Sequence, residues 1–267
     1  MQKGFAVLQM FLAFVVMFCS SPAYAAHPLI TDDMGTQGTG KFQVELNGEY
    51  SSDRETPSSG IENVERAVEV GTTLSYGVTD AIDAVIGVPY VRFETNQSDL
   101  NASTFSHAGE KGLSDISLEM KWRFWEREGR GLAVKPGISV PTGNDQRGLG
   151  AGKYGYSLFL IGTQEAGDWA FHANFGYIHH ANRANERESL CHLSLASEYA
   201  MSKHLRVVLN VGQERNPDKN DSTRPVFALA GLIYGISDDL DLDLGIKTGL
   251  TDPETDQAVL AGLAFKF

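Results

Sequence analysis

The sequence predicts an all-β fold: a transmembrane antiparallel β-barrel of about 12 strands with up-and-down topology. Three observations carry this. First, stretches such as SDDLDLDLGIKTGL, Ser237 to Leu250, alternate at period two, with Leu240, Leu242 and Leu244 on one face and Asp239, Asp241 and Asp243 on the other. Second, such segments recur along the chain, joined alternately by tight turns and longer polar links. Third, no segment after the first residues offers 18 consecutive apolar positions, so no membrane helix is expected there.

Residues 1–25 read as a signal peptide that is removed. Lys3 forms a basic start, Phe5 to Phe18 is apolar, and Ala23-Tyr24-Ala25 is a small-x-small cleavage site. Met17 and Phe18 are too bulky before Cys19 for a lipoprotein site. Cleavage after Ala25 leaves Cys191 as the one thiol, so no internal disulfide is expected. The net charge is −12, and without a basic stripe nucleic acid is not an expected partner.

Residues 26–40 form an N-terminal segment, and residues 41–267 the barrel. Strands are expected near 41–50, 63–77, 81–93, 113–125, 131–141, 154–164, 169–180, 189–200, 204–215, 224–236, 239–250 and 257–267. Most match the ~9–11 residues a tilted strand needs to cross a bilayer. GVTDAI, EREGRG, EAGDW, AMSKH and ISDD are tight turns, and 51–62, 94–112, 142–153, 181–188 and 216–223 are long links. Outer-membrane barrels place short turns on the periplasmic side and long loops outside, so an even strand number leaves both termini periplasmic.

The two faces of each strand differ in chemistry. Ile116, Leu118, Met120, Trp122 and Phe124 oppose Ser117, Glu119, Lys121 and Arg123; Leu205, Val207, Leu209 and Val211 oppose Arg206 and Asn210. An apolar outside and a polar lumen fit this. The expected lumen-lining residues are Glu45, Glu69, Glu119, Lys121, Arg123, Lys135, Arg206, Asp239, Asp241, Asp243 and Lys247. Strands 154–164 and 224–236 are apolar on both faces, so Phe159, Ile161, Leu232 and Tyr234 either narrow the lumen or face another protein. Tyr50, Tyr76, Tyr90, Trp122, Phe124, Trp169, Tyr177, Tyr199 and Phe267 lie near strand ends, as an interfacial girdle requires.

The last strand, VLAGLAFKF, alternates and ends on Phe267. It resembles the terminal strand by which bacterial outer-membrane proteins are read by the barrel-assembly machinery. HPLITDDMGTQGTGKFQVE, YGVTDAIDAVIGVPY, GLSDISLEMKWRF and VKPGISVPTGNDQRGLGAG resemble, over nearly the whole mature chain, the family named for the meta-pathway of phenol degradation. The resemblance implies a porin-like, transporter-type barrel in the outer membrane of a Gram-negative bacterium, meeting outer-membrane lipid and passing a small-molecule solute. Aromatic or other hydrophobic compounds are implied by the family's name alone. No catalytic residue, metal or cofactor is expected.

Thr31, Asp32 and Asp33 could bond inward groups and make residues 26–40 a lumenal plug; a mobile tail is the other reading. His172, His180 and His192 fall on inward rows, with Glu198 near His172. His192 and Ser194 also show the His-x-Ser spacing of outer-membrane phospholipases, with Asn210 able to lie opposite. That enzyme must face lipid, whereas these side chains belong to the inward row. A closed structural barrel is the third alternative. Twelve strands at ~40° tilt give a backbone radius of roughly 12 Å, enough for a narrow conduit but not a large pore.

Overall fold

The computed structural model describes residues 27–55, 61–99 and 104–267; the expected signal peptide lies outside them. The strands are β1 (Phe42–Glu55), β2 (Ile61–Thr79), β3 (Ile82–Asp99), β4 (Thr104–Leu113), β5 (Ile116–Arg127), β6 (Arg130–Val140), β7 (Gly155–Ala166), β8 (Trp169–His179), β9 (Ser189–Ala200), β10 (Leu205–Glu214), β11 (Val226–Gly235), β12 (Leu240–Gly249) and β13 (Gln257–Lys266). Each pairs antiparallel with its neighbours, and β1 closes the sheet against β13 with Glu45 opposite Ala264. Every strand except β4 is paired on both sides, and β4, which pairs with β3 alone, lies beyond Pro89 on the long-link side, so the closed part of the wall leaves no open strand edge to a bilayer.

Thirteen strand segments make twelve wall positions, because β4 and β5 share one. β3 pairs with β5 over Ile82–Gly87 and with β4 over Tyr90–Asp99. The break falls at Ser114-Asp115, beside Pro89, which has no N–H to donate, while Ser114 N–H donates to the Pro89 carbonyl at 2.9 Å. The links expected over 51–62 and 94–112 are largely strand: β2 and β3 run in register to Ile61 opposite Asp99. Apolar alternation marks only the lipid-facing height of a strand. Above it, residues such as Glu65, Arg66, Arg92 and Glu94 extend the hairpins as a sheet polar on both faces.

The outer face is apolar. Leu118, Leu158, Leu195, Leu209, Leu232 and Leu244 are all exposed, in a band around the wall. An aqueous surface does not normally carry so much contiguous apolar area, whereas a hydrocarbon surround favours it. At the short-turn end Phe42 packs on Tyr76 and Phe267, with ring centroids 4.6 and 5.5 Å apart, and Trp169 packs on Tyr199 at 4.7 Å. Tyr50, Tyr90, Tyr156 and Tyr177 are exposed toward the other end. Phe42 and Phe267 also exchange backbone hydrogen bonds at 2.8 and 2.9 Å, so the first and last strands meet at the short-turn rim. No described helix is long and apolar enough to cross a membrane.

The two strands apolar on both faces are oriented unambiguously. In β7, Tyr156, Leu158 and Leu160 are exposed on the outside, and Ile161 is fully buried inside with Met34, Ala133 and Phe159. In β11, Leu232 and Tyr234 point out, while Phe227, Leu229 and Ile233 point in. The lumen is therefore polar with apolar patches, and two of these patches hold side chains of the N-terminal segment.

Candidate functional site: the lumen and the N-terminal segment

Residues 27–37 lie inside the barrel. Pro28 and Thr31 are fully buried, and Asp33 is 2 % exposed. A segment this short has no hydrogen-bond ladder of its own, so its backbone groups are satisfied by the wall. Ile30 and Thr31 N–H donate to Asn210 Oδ1 at 2.8 and 3.0 Å, and Asn210 Nδ2 donates to Thr31 Oγ1 at 2.6 Å. Met34 N–H donates to Thr163 Oγ1 at 3.1 Å, and Gln37 N–H to the Asp83 carboxylate at 3.0–3.1 Å. With its amide oxygen turned toward the segment, Asn174 accepts from Asp32 N–H at 2.6 Å and donates to the Asp32 carbonyl at 2.9 Å. Leu29 packs against Val208 and Ile233, and Met34 against Ala133 and Ile161.

Glycines in the wall make room for this close approach. A Cβ on Gly231 or Gly245 would lie 2.6 or 2.8 Å from Pro28, and one on Gly77 only 1.8 Å from the Gly38 carbonyl oxygen. Gly38 is backbone and cannot swing aside. Gly77→Ala is therefore expected to displace residues 38–40 from the wall and raise ion flow through the barrel in planar bilayers. Wild-type ion flow in that variant would exclude Gly77 from seating the segment.

Charge concentrates at Asp32 and Asp33. Lys121 Nζ lies 2.7 Å from Asp32 and 3.6 Å from Asp33; Lys135 Nζ lies 2.8 Å from Asp32 and 3.5 Å from Glu119. Burial opposes ionisation of Asp32, but the two lysines overcome it and hold the carboxyl well below its usual range. Asp33 has one lysine at longer range. Burial pushes its carboxyl up to about 6, aided by the negative charge of Asp32. It accepts from Gly35 N–H at 2.5 Å, while its second oxygen has no hydrogen-bond partner. At the rim, the Thr39 hydroxyl and N–H, at 2.6 and 3.0 Å, hold Asp80 below the usual carboxylate range.

The expected lumen residues divide. Glu45, Glu119, Lys121 and Lys135 line a cavity of about 250 Å³ beside the segment. Glu69 stands opposite Glu49, to which Lys247 extends at 3.4 Å. Arg123 donates to the Asp80 carbonyl at 2.8 Å near the short-turn rim. Arg206 bridges Glu198 and Asp241, both at 3.1 Å. The aspartate row is not the continuous bare wall its spacing suggests. Asp239 is exposed in the turn before β12 rather than in the strand, because Ile236 and Ser237 N–H already close that turn on the Leu240 carbonyl. Asp241 also faces Lys266 at 3.7 Å, and Asp243 meets His27 at 2.5 Å. Lys247 serves Glu49 and Glu254 instead.

Loop 142–153 folds against the inner face of the tall β3–β4 sheet. The Asp115 carboxylate accepts from Gly143 and Ala151 N–H at 2.9 and 2.8 Å, Arg147 pairs with Glu110 at 2.5 Å, and Leu149 is buried. A second cavity of about 240 Å³, lined by Ser117, Ser157, Phe159 and His180, shares Glu119 with the first.

The phospholipase arrangement is half present. His192 Nε2 lies 2.9 Å from Ser194 Oγ, but His192 Nδ1 faces Glu214 at 3.5 Å, and Asn210 is committed to the N-terminal segment. Ser194 is 1 % exposed and turned away from lipid, where an acyl ester would lie. His172 lies 3.4 Å from Glu198, as their rows predict, whereas His180 turns to Glu186 at 3.5 Å. Among the described residues no three carboxylate, imidazole or thiol groups converge on a metal position.

Sequence analysis missed His27, Leu29 and Met34 as contacts of the segment. Leu29 and Met34 were legible as apolar residues in an otherwise polar stretch, but their receiving patches come from β6, β7, β10 and β11, which no local pattern joins.

Solved structures share the fold. An outer-membrane channel from Pseudomonas putida F1 is 12 % identical, with a TM-score of 0.66, covering 94 % of this chain and 100 % of that one. The KdgM porin is 7 % identical, with a TM-score of 0.54 over 84 % and 99 %. The translocator domain of the autotransporter NalP from Neisseria meningitidis is 11 % identical, with a TM-score of 0.54 over 88 % and 91 %. Comparison with curated proteins returns no match. Residues 31–267 match the family described as "Putative MetA-pathway of phenol degradation", and the chain, a twelve-position antiparallel barrel with its N-terminal segment folded inside, belongs to that family.

Proposed function

We propose that the protein is a channel for passive passage of small solutes across the bacterial outer membrane, with residues 27–37 as a plug that regulates it. The observation that carries this reading is the placement of that segment within a closed wall, held by side chains of β3, β5, β6, β7, β8 and β10 rather than by a strand ladder of its own. The similar P. putida protein is an outer-membrane channel, which supports the same function here. Residues 1–25 serve as the export signal, both termini lie in the periplasm, and the strand ending at Phe267 is presented to the barrel-assembly machinery. The solute is small, since the two cavities are about 250 and 240 Å³. Aromatic compounds are one class suggested by the family's name. An enzymatic role is disfavoured by the inward, occluded Ser194.

The test is single-channel recording of the mature chain and of a variant lacking residues 27–37. The truncated barrel should conduct several-fold more and close less. Identical conductance and closures would remove the segment from gating, and silence of both forms would end the channel reading.

Docking should also depend on pH. The groups facing Asp33 are Asp32 on its own segment, Lys121 on β5, His172 on β8 and Glu198 on β9. A carboxyl raised from 3.8 to about 6 on docking contributes its stabilisation fully below the lower value and loses it as pH rises through the upper. Asp32 has the opposite sign: its contribution is present above the ordinary carboxylate range and lost on acidification. Open probability should therefore rise between about pH 4 and 6 and level off above, by at most about tenfold per pH unit for one proton. Asp33→Asn should flatten that rise; a wild type already flat over this range would exclude Asp33 as its source.

A further inference from the structure

The cavity beside the N-terminal segment has one wall of distinct chemistry. Its β1–β3 side presents Gln43, Glu45, Asn47, Thr73, Ser75 and Asp83, and none of the lining residues from these three strands is basic. The lysines that line the opposite side are engaged: Lys121 by Asp32 and Asp33, Lys135 by Asp32 and Glu119. Asp83 receives Gln37 N–H.

Glu45 is different. Its carboxylate accepts hydrogen bonds from the Gln43 amide and, at 3.3 Å, from the Asn47 amide, both neutral. Lys266 on adjacent β13 reaches Asp241 at 3.7 Å, and Lys247 reaches Glu49 and Glu254. Each amide nitrogen donates to Glu45, and each amide oxygen, which can only accept, faces no donor. Gln43 Oε1 and Asn47 Oδ1 are buried without a hydrogen-bond partner, and the Gln43 residue is only 6 % exposed. A carboxylate flanked by two buried acceptor oxygens that meet no donor, on residues that line the cavity, stabilises a positive group with donors or an open coordination shell.

We propose that this cavity is a binding site for a small monovalent cation, held by Glu45 with Gln43 Oε1 and Asn47 Oδ1, on the solute path past the N-terminal segment. This rests on the channel reading. A volume of about 250 Å³ leaves space for a cation with part of its hydration shell, since a water occupies ~30 Å³ of liquid. One carboxylate and two amide oxygens are too few anionic ligands to strip a divalent ion. An alkali ion and a protonated primary amine share the required chemistry: one positive charge and affinity for neutral oxygens.

The full mature chain in liposomes tests this by tracer uptake of rubidium, methylammonium and chloride, alongside the form lacking residues 27–37. Wild type should admit either cation at least threefold faster than chloride. Glu45→Gln, nearly isosteric, should bring the ratio near one, and Gln43→Leu should lower it partly. The control Asp239→Asn, in an exposed turn, should leave it unchanged. Methylammonium uptake more sensitive to Gln43→Leu than rubidium uptake identifies an amine site; equal sensitivity identifies an alkali-ion site. Both uphold the proposal. Heat-modifiable gel migration verifies that each variant is assembled, and Gln43→Leu carries the test if Glu45→Gln fails to assemble. Chloride entering wild type as fast as the cations, or assembled variants with unchanged ratios, overturns the site alone. Wild type silent while the truncated form conducts also overturns it, because the path past Glu45 then carries no flux. Absence of flux in both forms defeats the channel reading itself.

Discussion

Lys121→Glu should release the N-terminal segment and hold the proposed channel open. Lys121 is mostly enclosed and lies 2.7 Å from Asp32 and 3.6 Å from Asp33. Removing one partner of a buried ion pair costs about 3–5 kcal/mol because the remaining charge is uncompensated. At ~1.4 kcal/mol per tenfold change, the docking equilibrium shifts by more than 100-fold. The glutamate adds a third acid against Asp32 and Asp33, so repulsion reinforces the loss. Lys135 still reaches Asp32 at 2.8 Å and moderates it. The wall ladders do not involve this side chain, so the variant should still assemble and show heat-modifiable migration. Asp32→Lys combined with Lys121→Glu restores an opposite-sign pair and should recover part of the closures. Single-channel recordings decide the matter: unchanged closed times in assembled Lys121→Glu would mean that these charges do not hold the segment.

Leu244→Arg should have the largest effect on assembly. Leu244 lies midway along β12, opposite Leu232 and Ala261, and is 55 % exposed on the outer face. An arginine near the bilayer midplane costs ~2–4 kcal/mol. The heat-modifiable form in outer-membrane fractions should fall sharply. Asp241→Asn, on the inner row of the same strand, keeps an acceptor for Arg206 and should assemble nearly normally. Equal defects, or a worse defect for Asp241→Asn, would show that the faces are reversed.

Barrel height and strand identity followed from periodicity wherever one row met lipid. Leu118, Met120 and Trp122 stood against Glu119, Lys121 and Arg123, and the structure keeps them on opposite faces. The rule failed where neither face was apolar: β2, β3 and β4 continue through residues that composition alone marks as loop. It also failed where both faces were apolar. Phe159 and Ile161 differ from Leu158 and Leu160 only in what lies inside the barrel to receive them.

The amino-acid sequence by itself determined the antiparallel wall, its apolar outer face, its tight turns, and the candidate charges of the lumen. These properties follow from residues one or two positions apart and from turn chemistry. Only the tertiary structure decided which charges meet. Asp32 pairs with Lys121 and Lys135, His27 with Asp243, and Arg206 with both Glu198 and Asp241. Asn210, which spacing alone could place near Ser194, instead holds Ile30 and Thr31. The reason is physical: the partners of a short, irregular segment are set by closure of the whole barrel around it, and its backbone groups, withdrawn from water, take whichever inward side chains that closure brings within hydrogen-bond reach.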